Sequence, residues 1–229
     1  TDPIAAELKW LAGELGVGRD HEVLAERLQA AFDALPATLV AGPVRERLQH
    51  WSKAGEKGSR RRLLAVLDSA RYLTLLDTLD ALIADPPVLK AAGKQPEKVL
   101  AKAVRKDFAK VSALIEEAVE QPPGTDRDLA LHEARKKAKR TRYAAETSVP
   151  ALGRPAKDLV KSMKSLQSLL GDHQDSVMAR PTLRERSAVA HAAGENGVTS
   201  GVSYAREEER AGRWGAGVSG GRREQHVRV

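Results

Sequence analysis

The sequence predicts an all-α protein, an antiparallel helical bundle. Three observations carry that reading. Nearly every periodic segment repeats its apolar residues at helical spacing, and no stretch alternates as a half-buried strand does. Aromatic residues are only 3% of the chain against 41% hydrophobic overall, so the core must come from Ala, Leu and Val packed between helices. Clusters of proline and glycine mark the breaks between the periodic segments. At 229 residues the chain can bury a real core, as one large domain or two small ones.

In chain order, helices are expected at about 4–15, 19–35, 37–54, 60–84, 96–120, 126–148, 155–170 and 173–193. Thr1-Asp2-Pro3 can open the first, with Pro3 at its first position. The chain lacks an initiator methionine and is expected to be a fragment. Breaks fall at Gly16-Val17-Gly18, Gly55 to Gly58, Asp85-Pro86-Pro87, Pro122-Pro123-Gly124 and Pro150 to Pro155. Thr125 and Asp128 suit the start of the helix at 126–148. From Gly194 onward glycines recur and a core-forming stripe is missing. Residues 194–229 therefore read as a loosely ordered, Gly- and Arg-rich tail with a short helix near 203–211.

The core-forming part, 1–193, has two halves at about 1–84 and 96–193, linked by a weak internal repeat. Lys9-Trp10-Leu11, Leu15-Gly16, Asp20 and Val23 match Lys164-Ser165-Leu166, Leu170-Gly171, Asp175 and Met178 at a constant offset of 155. In each copy a cationic amphipathic helix is expected to stop at Leu-Gly, where glycine is a natural C-terminal residue. The Asp then sits near the start of the next helix, where it suits the dipole.

Formal net charge is +7 with a pI near 9.7, which favours acidic partners without identifying one. The absence of cysteine excludes a disulfide framework, a thiolate metal site and a cysteine nucleophile. No run approaches the roughly 18 apolar residues of a membrane span, and no signal-peptide pattern opens the chain, so a soluble, cytoplasmic protein is expected.

The densest signal is Leu131 to Glu146. His132, Arg135, Lys136, Lys139, Arg142, Tyr143 and Glu146 fall within an arc of roughly 120°, while Ala134, Ala138, Thr141 and Ala145 gather on another. The helix thus has a small-residue packing face and a cationic face. Six cations lie in the eleven residues from His132 to Arg142, with Glu133 and Glu146 nearby to offset them. Like charges at i, i+4 cost a few tenths of a kcal/mol per pair. A solvated face normally intersperses acids, as 19–35 does with Glu22 and Glu26, so a bound anion better explains this one.

Two further stripes repeat the design. Lys157, Lys161 and Lys164 lie opposite Leu159, Met163, Leu166 and Leu170; Lys98, Lys102 and Arg105 lie opposite Leu100, Val104, Phe108 and Val111. Each alone reads as an ordinary solvated face. From sequence, the three stripes either converge on a groove or scatter. Arg71, inside an otherwise apolar helix, either snorkels or points inward to an anionic partner. Arg60-Arg61-Arg62 read as a flexible solvated helix end.

No catalytic constellation stands out, so an enzyme is not expected. There is no phosphate loop ending in Lys-Ser/Thr and no serine nucleophile motif. Lys136 occupies the i+4 position where a helical zinc pair with His132 would need a second ligand. Gly171-Asp172-His173-Gln174-Asp175 looks ligand-like, yet its aspartates read better as helix caps. Neither metal nor cofactor is expected.

The pattern His132-x-x-Arg135-x-x-x-Lys139-x-x-Arg142-Tyr143-x-x-Glu146, followed by Leu166-Gln167 and Leu170-Gly171-x-x-x-Asp175, resembles the conserved histidine α-helical domain, the CHAD family. Ser69-x-Arg71-Tyr72 is similar to the family's inter-half helix, and the resemblance spans about residues 4–210. It implies two related four-helix halves and binding of inorganic polyphosphate in a basic channel, with association to polyphosphate granules. His132, Arg135, Lys136, Lys139 and Arg142 would contact polyphosphate, joined by Arg71, Arg105, Lys161 and Lys164, with Lys9 a weaker candidate. The first-half counterpart of the basic helix, expected upstream of Lys9, is not in this chain, so the first half is expected to be incomplete. The metalloenzyme domain to which some members are fused is missing too, and with it any implication of triphosphatase activity.

Rows of Lys and Arg on successive turns, about 5.4 Å apart, can meet successive phosphates. Binding should weaken with salt, and His132 should favour it when protonated. Non-specific nucleic-acid binding is the competing expectation, although few aromatics are available for a stacking platform and no helix-turn-helix signature appears.

Overall fold

The computed structural model describes the backbone of residues 2–88 and 90–225, and their side chains except at 2, 90, 91 and 213–225. Among the described residues there are seven α-helices and no strand: α1 (Asp2–Asp33), α2 (Val44–Leu67), α3 (Ala70–Ala84), α4 (Pro96–Glu120), α5 (Thr125–Leu152), α6 (Arg154–Ala192) and α7 (Val198–Gln225). The fold is all-α, as the periodicity requires. The chain divides into two compact units, Thr1–Leu89 with Leu183–Ser203, and Lys90–Thr182 with Tyr204–Val229.

In the first unit α1 and α2 run antiparallel, and Leu28, Phe32, Leu35, Leu48, Leu75, Leu183 and Ala190 are buried. α1 passes through Gly13, Gly16 and Gly18, where the sequence suggests a break. A mid-helix glycine costs about 1 kcal/mol relative to alanine, which does not by itself stop a helix. Here glycine lets helices approach. A Cβ on Gly18 would sit 3.4 Å from that of Ser59. A Cβ on Gly55, also read as part of a break, would land 2.1 Å from His21 Nε2. His21 occupies that notch, with Nε2 3.1 Å from the Ser52 carbonyl oxygen and its ring centroid 4.3 Å from that of Trp51. The chain actually breaks at Asp68-Ser69, where Ser69 Oγ caps α3 by accepting from the Tyr72 amide (3.2 Å).

In the second unit, Leu131, Ala134, Ala138, Thr141, Ala145 and Ser148 form the buried face of α5. Two clusters pack on it. One joins Leu131 and Ala134 to Ala118 of α4 and Leu170 of α6; the other joins Ala138 to Val111 and Met163. α5 runs past Pro150 and ends at Gly153, whose φ of +62° takes a conformation that favours glycine. α6 then continues unbroken through Gly171 and Pro181. Neither Leu15-Gly16 nor Leu170-Gly171 is therefore a helix stop, and both glycines lack a positive φ. Asp172 and Asp175 lie mid-helix instead of capping one.

The repeat nevertheless extends to contacts. His21 meets the carbonyl oxygen of Ser52; 155 residues on, Ser176 Oγ donates to that of Glu207 (2.7 Å). Leu28 and Leu183, at the same offset, are both fully buried.

The stretch from Gly194, expected to be a loose tail, contains α7. Its inward row is Thr199, Ser200, Ser203 and Glu207, all buried. Hydrogen bonds hold two of them, Thr199 and Glu207. Thr199 Oγ1 accepts from the Ala41 amide (2.9 Å) and donates to the Leu39 carbonyl (2.9 Å), and Ser176 Oγ also reaches Glu207 Oε2 (2.6 Å). A polar core face has no apolar stripe to reveal it.

Gly55→Ala should destabilise the protein by about 1–3 kcal/mol, the usual effect of overpacking, through the clash with the His21 ring. Thermal denaturation should show a lowered Tm, partly restored in a Gly55→Ala, His21→Ala double variant. A Tm unchanged by Gly55→Ala would refute the notch.

Candidate functional site

Small side chains on the buried face of α5 let α4 and α6 pack along its two flanks, and the flanks differ in charge. On the α4 side Asp107 takes Lys137 (Nζ–Oδ1 3.0 Å) and Arg140 (Nε–Oδ2 3.7 Å). The hydrogen bond from Lys137 holds its carboxyl below the usual range; burial opposes this, and the charges of Lys137, Arg140 and Lys110 assist. Two of the six cations counted in sequence are thus compensated by a residue on another helix.

On the α6 side the antiparallel pair forms a ladder. His132 Nδ1 lies 3.0 Å from Gln174 Oε1. Gly171 lies opposite Arg135, where even a Cβ would stand 3.7 Å from Nε. Gln167 donates from Nε2 to the Ala138 carbonyl (3.1 Å) and accepts at Oε1 from Arg142 Nε (3.3 Å). At the far end Arg142 Nη1 donates to Glu146 Oε1 (2.8 Å), lies over the Tyr143 ring at 4.3 Å, and has Lys164 Nζ nearby, 4.0 Å from the same carboxylate oxygen. Lys136 pairs with Glu133 (2.5 Å).

The middle of the row is different. Arg135 Nε is buried without a hydrogen-bond partner, and among the described residues neither Arg135 nor Lys139 has a carboxylate within ion-pair reach. A buried, unsatisfied guanidinium N–H is costly. The cationic face is therefore neutralised at both ends and open at its centre.

His132, Arg135, Lys136, Lys139, Arg142 and Lys164 all belong to this α5–α6 flank or its ends. Lys161 is exposed one turn before Lys164, with no contact tying it to α5. Arg105 is exposed on α4 about 200° around the helix from Asp107, so it turns away from the α5 flank. Arg71 belongs to the first unit. There it donates from Nε (2.6 Å) and Nη2 (3.0 Å) to Glu7 and lies 4.0 Å over the Trp10 ring. Arg71 is exposed, so it does not point inward, one of the two roles open to it in sequence; it pairs with Glu7 at the surface, and that hydrogen bond lowers the Glu7 pKa. Sequence reasoning missed Asp107 and gave Gln167 and Gln174 no role at the site, although both stood in stretches it singled out. The glutamines are seven residues apart on one face of α6, with Gly171 between them, which was the available signal.

Below the ladder lies a buried polar cluster. Asp128 accepts from His173 Nε2 (3.1 Å) and Arg180 Nη2 (2.7 Å). Although Asp128 favours the charged imidazole, burial and the nearby Arg180 and Arg127 outweigh it and lower the His173 pKa. A cavity of about 440 Å³ occurs in the first unit, lined by Phe32, Leu48, Trp51 and Arg47, but Arg47 is paired with Glu195 there. Among the described residues no cluster of three or more His, Asp or Glu could hold a metal ion, and no helix is long and apolar enough to cross a membrane.

The sequence model of the CHAD domain matches residues 1–184, most of the chain and all of the ladder. The chain belongs to the CHAD family. Two uncharacterized proteins of Mycobacterium tuberculosis, one from strain CDC 1551 and one from strain H37Rv, are each 40% identical to it over 207 residues. That is 90% of this chain but 39% of each relative, so the CHAD chain spans about two-fifths of their length.

The lowered His173 pKa should make the stability of this CHAD domain depend on pH. A folded pKa below the unfolded one means that the unfolded chain takes up the proton first as pH falls below about 6.5. Stability should accordingly decrease from about pH 7 toward pH 5. In a His173→Gln variant, which cannot take up that proton, the Tm-against-pH curve should be flatter over the interval. Parallel curves would exclude His173 as the source.

Proposed function

We propose that this chain binds inorganic polyphosphate along the α5–α6 flank, through His132, Arg135, Lys136, Lys139 and Arg142 with Lys161 and Lys164 from α6, and that it does so in association with polyphosphate granules. The observation that carries the reading is the open centre of the row. Arg135 and Lys139, four residues apart, lack counter-ions where the cations beside them are paired. Positions one turn apart lie about 5.4 Å along the axis, a spacing a flexible chain of phosphates can follow. Arginine offers a forked donor to phosphate oxygens and lysine a point charge, so a row that contains both suits a repeating anion. CHAD membership, with the ladder inside the matched residues, supports the same ligand class.

The reading is tested by competition at physiological salt between long-chain polyphosphate, duplex DNA and RNA. Polyphosphate is expected to displace both nucleic acids; equal affinity for all three would replace this proposal with non-specific polyanion binding. Arg135→Ala with Lys139→Ala should weaken polyphosphate binding at least about 100-fold, because hydrogen bonds to charged groups contribute about 1.5–3 kcal/mol each. Helical circular dichroism should be unchanged. Retained affinity in that variant would move the site elsewhere.

A further inference from the structure

We infer that Gln167 and Gln174 are positioning residues of this site, neutral amides that hold Arg142 and His132 in place without cancelling their charge. The inference rests on the polyphosphate reading above. The amide of Gln167 has only one sensible orientation. The Ala138 carbonyl can only accept, so the NH₂ end faces it and Oε1 faces Arg142 Nε. Gln174 places Oε1 3.0 Å from His132 Nδ1; the proposed role is to favour the tautomer that donates there, which leaves Nε2 for a ligand. A neutral imidazole offers phosphate a lone pair at Nε2; a protonated one offers a donor.

Glutamate differs from glutamine by a single atom and would reach the same partners. Elsewhere around α5, carboxylates do take up its cations: Asp107 of α4 takes up Lys137 and Arg140, and Glu146 of α5 itself takes up one arm of Arg142. On the α6 side, amide, glycine and amide at 167, 171 and 174 supply two hydrogen-bonding groups and a gap opposite Arg135, and no negative charge. Hydrogen-bonding capacity is kept and neutralisation is avoided.

The test compares Gln167→Glu and Gln174→Glu with Gln167→Met and Gln174→Met in the full chain. Long-chain polyphosphate affinity is measured against salt and pH, with Tm recorded for each variant. Each Glu variant should bind about ten-fold more weakly at physiological salt, with a salt dependence shallower by about one counter-ion. The Met variants should keep the wild-type salt dependence and weaken less. In ¹⁵N spectra, neutral wild-type His132 should be the Nδ1–H tautomer, and Gln174→Met should shift that equilibrium. Glu variants that match wild type in affinity and salt dependence would overturn the inference while leaving polyphosphate binding intact. So would Glu and Met variants that lose affinity equally and in step with Tm, since that indicates a merely structural role. A wild-type chain that does not bind polyphosphate overturns the functional reading, and this inference with it.

Discussion

The second unit depends on the smallness of one helix face. Ala134, Ala138, Thr141 and Ala145 succeed one another along α5 at spacings of three and four, and all are fully buried. Nothing larger than a methyl or hydroxyl group separates the backbone of α5 from its neighbours at these positions, so α4 and α6 can both lie close to it. That closeness brings Asp107 to Lys137 and Gln167 to the Ala138 carbonyl. A leucine at 138 would push apart both flanks at once, so packing and electrostatics share one constraint.

Charge on α5 is consequently sorted by flank. The helix carries more positive charge than its own sequence can balance, and the fold corrects this on one side only. Carboxylates meet the α4 flank and the two ends, whereas amides and a glycine meet the α6 flank. The first unit treats its arginines otherwise. Arg71 and Arg62 are each clamped in two-point fashion by a glutamate of α1.

How far the sequence could be read depended on where the information lay. Periodicity is local, so the helical class and the packing face of α5 were legible. Glycines were misread where the reason for them sits on another helix: Gly55 accommodates His21, and no property of 50–60 alone discloses that. The same is true of α7, whose inward residues are hydroxyls and a carboxylate; Glu207 meets Ser176, and Thr199 meets backbone groups near residue 40. At the candidate site the cations were visible and their partners were not. Asp107 lies thirty residues from Lys137 in sequence, and the roles of Gln167 and Gln174 exist only once α6 is laid antiparallel to α5.

The two glutamates that bracket the row have a kinetic consequence. Glu133 and Glu146 stand thirteen residues apart along α5, with the uncompensated cations between them. In the binding proposed above, an approaching anion meets cations already neutralised at the margins and unpaired charge in the middle, which raises the fraction of encounters that arrive in register. On that proposal, a seated phosphate chain that slid along the helix would trade unpaired cations for paired ones in either direction. Escape by creeping off an end would be slowed, and detachment would proceed by lifting away from Arg135 and Lys139 together. The placement of two acids would then set residence time more than it sets equilibrium affinity.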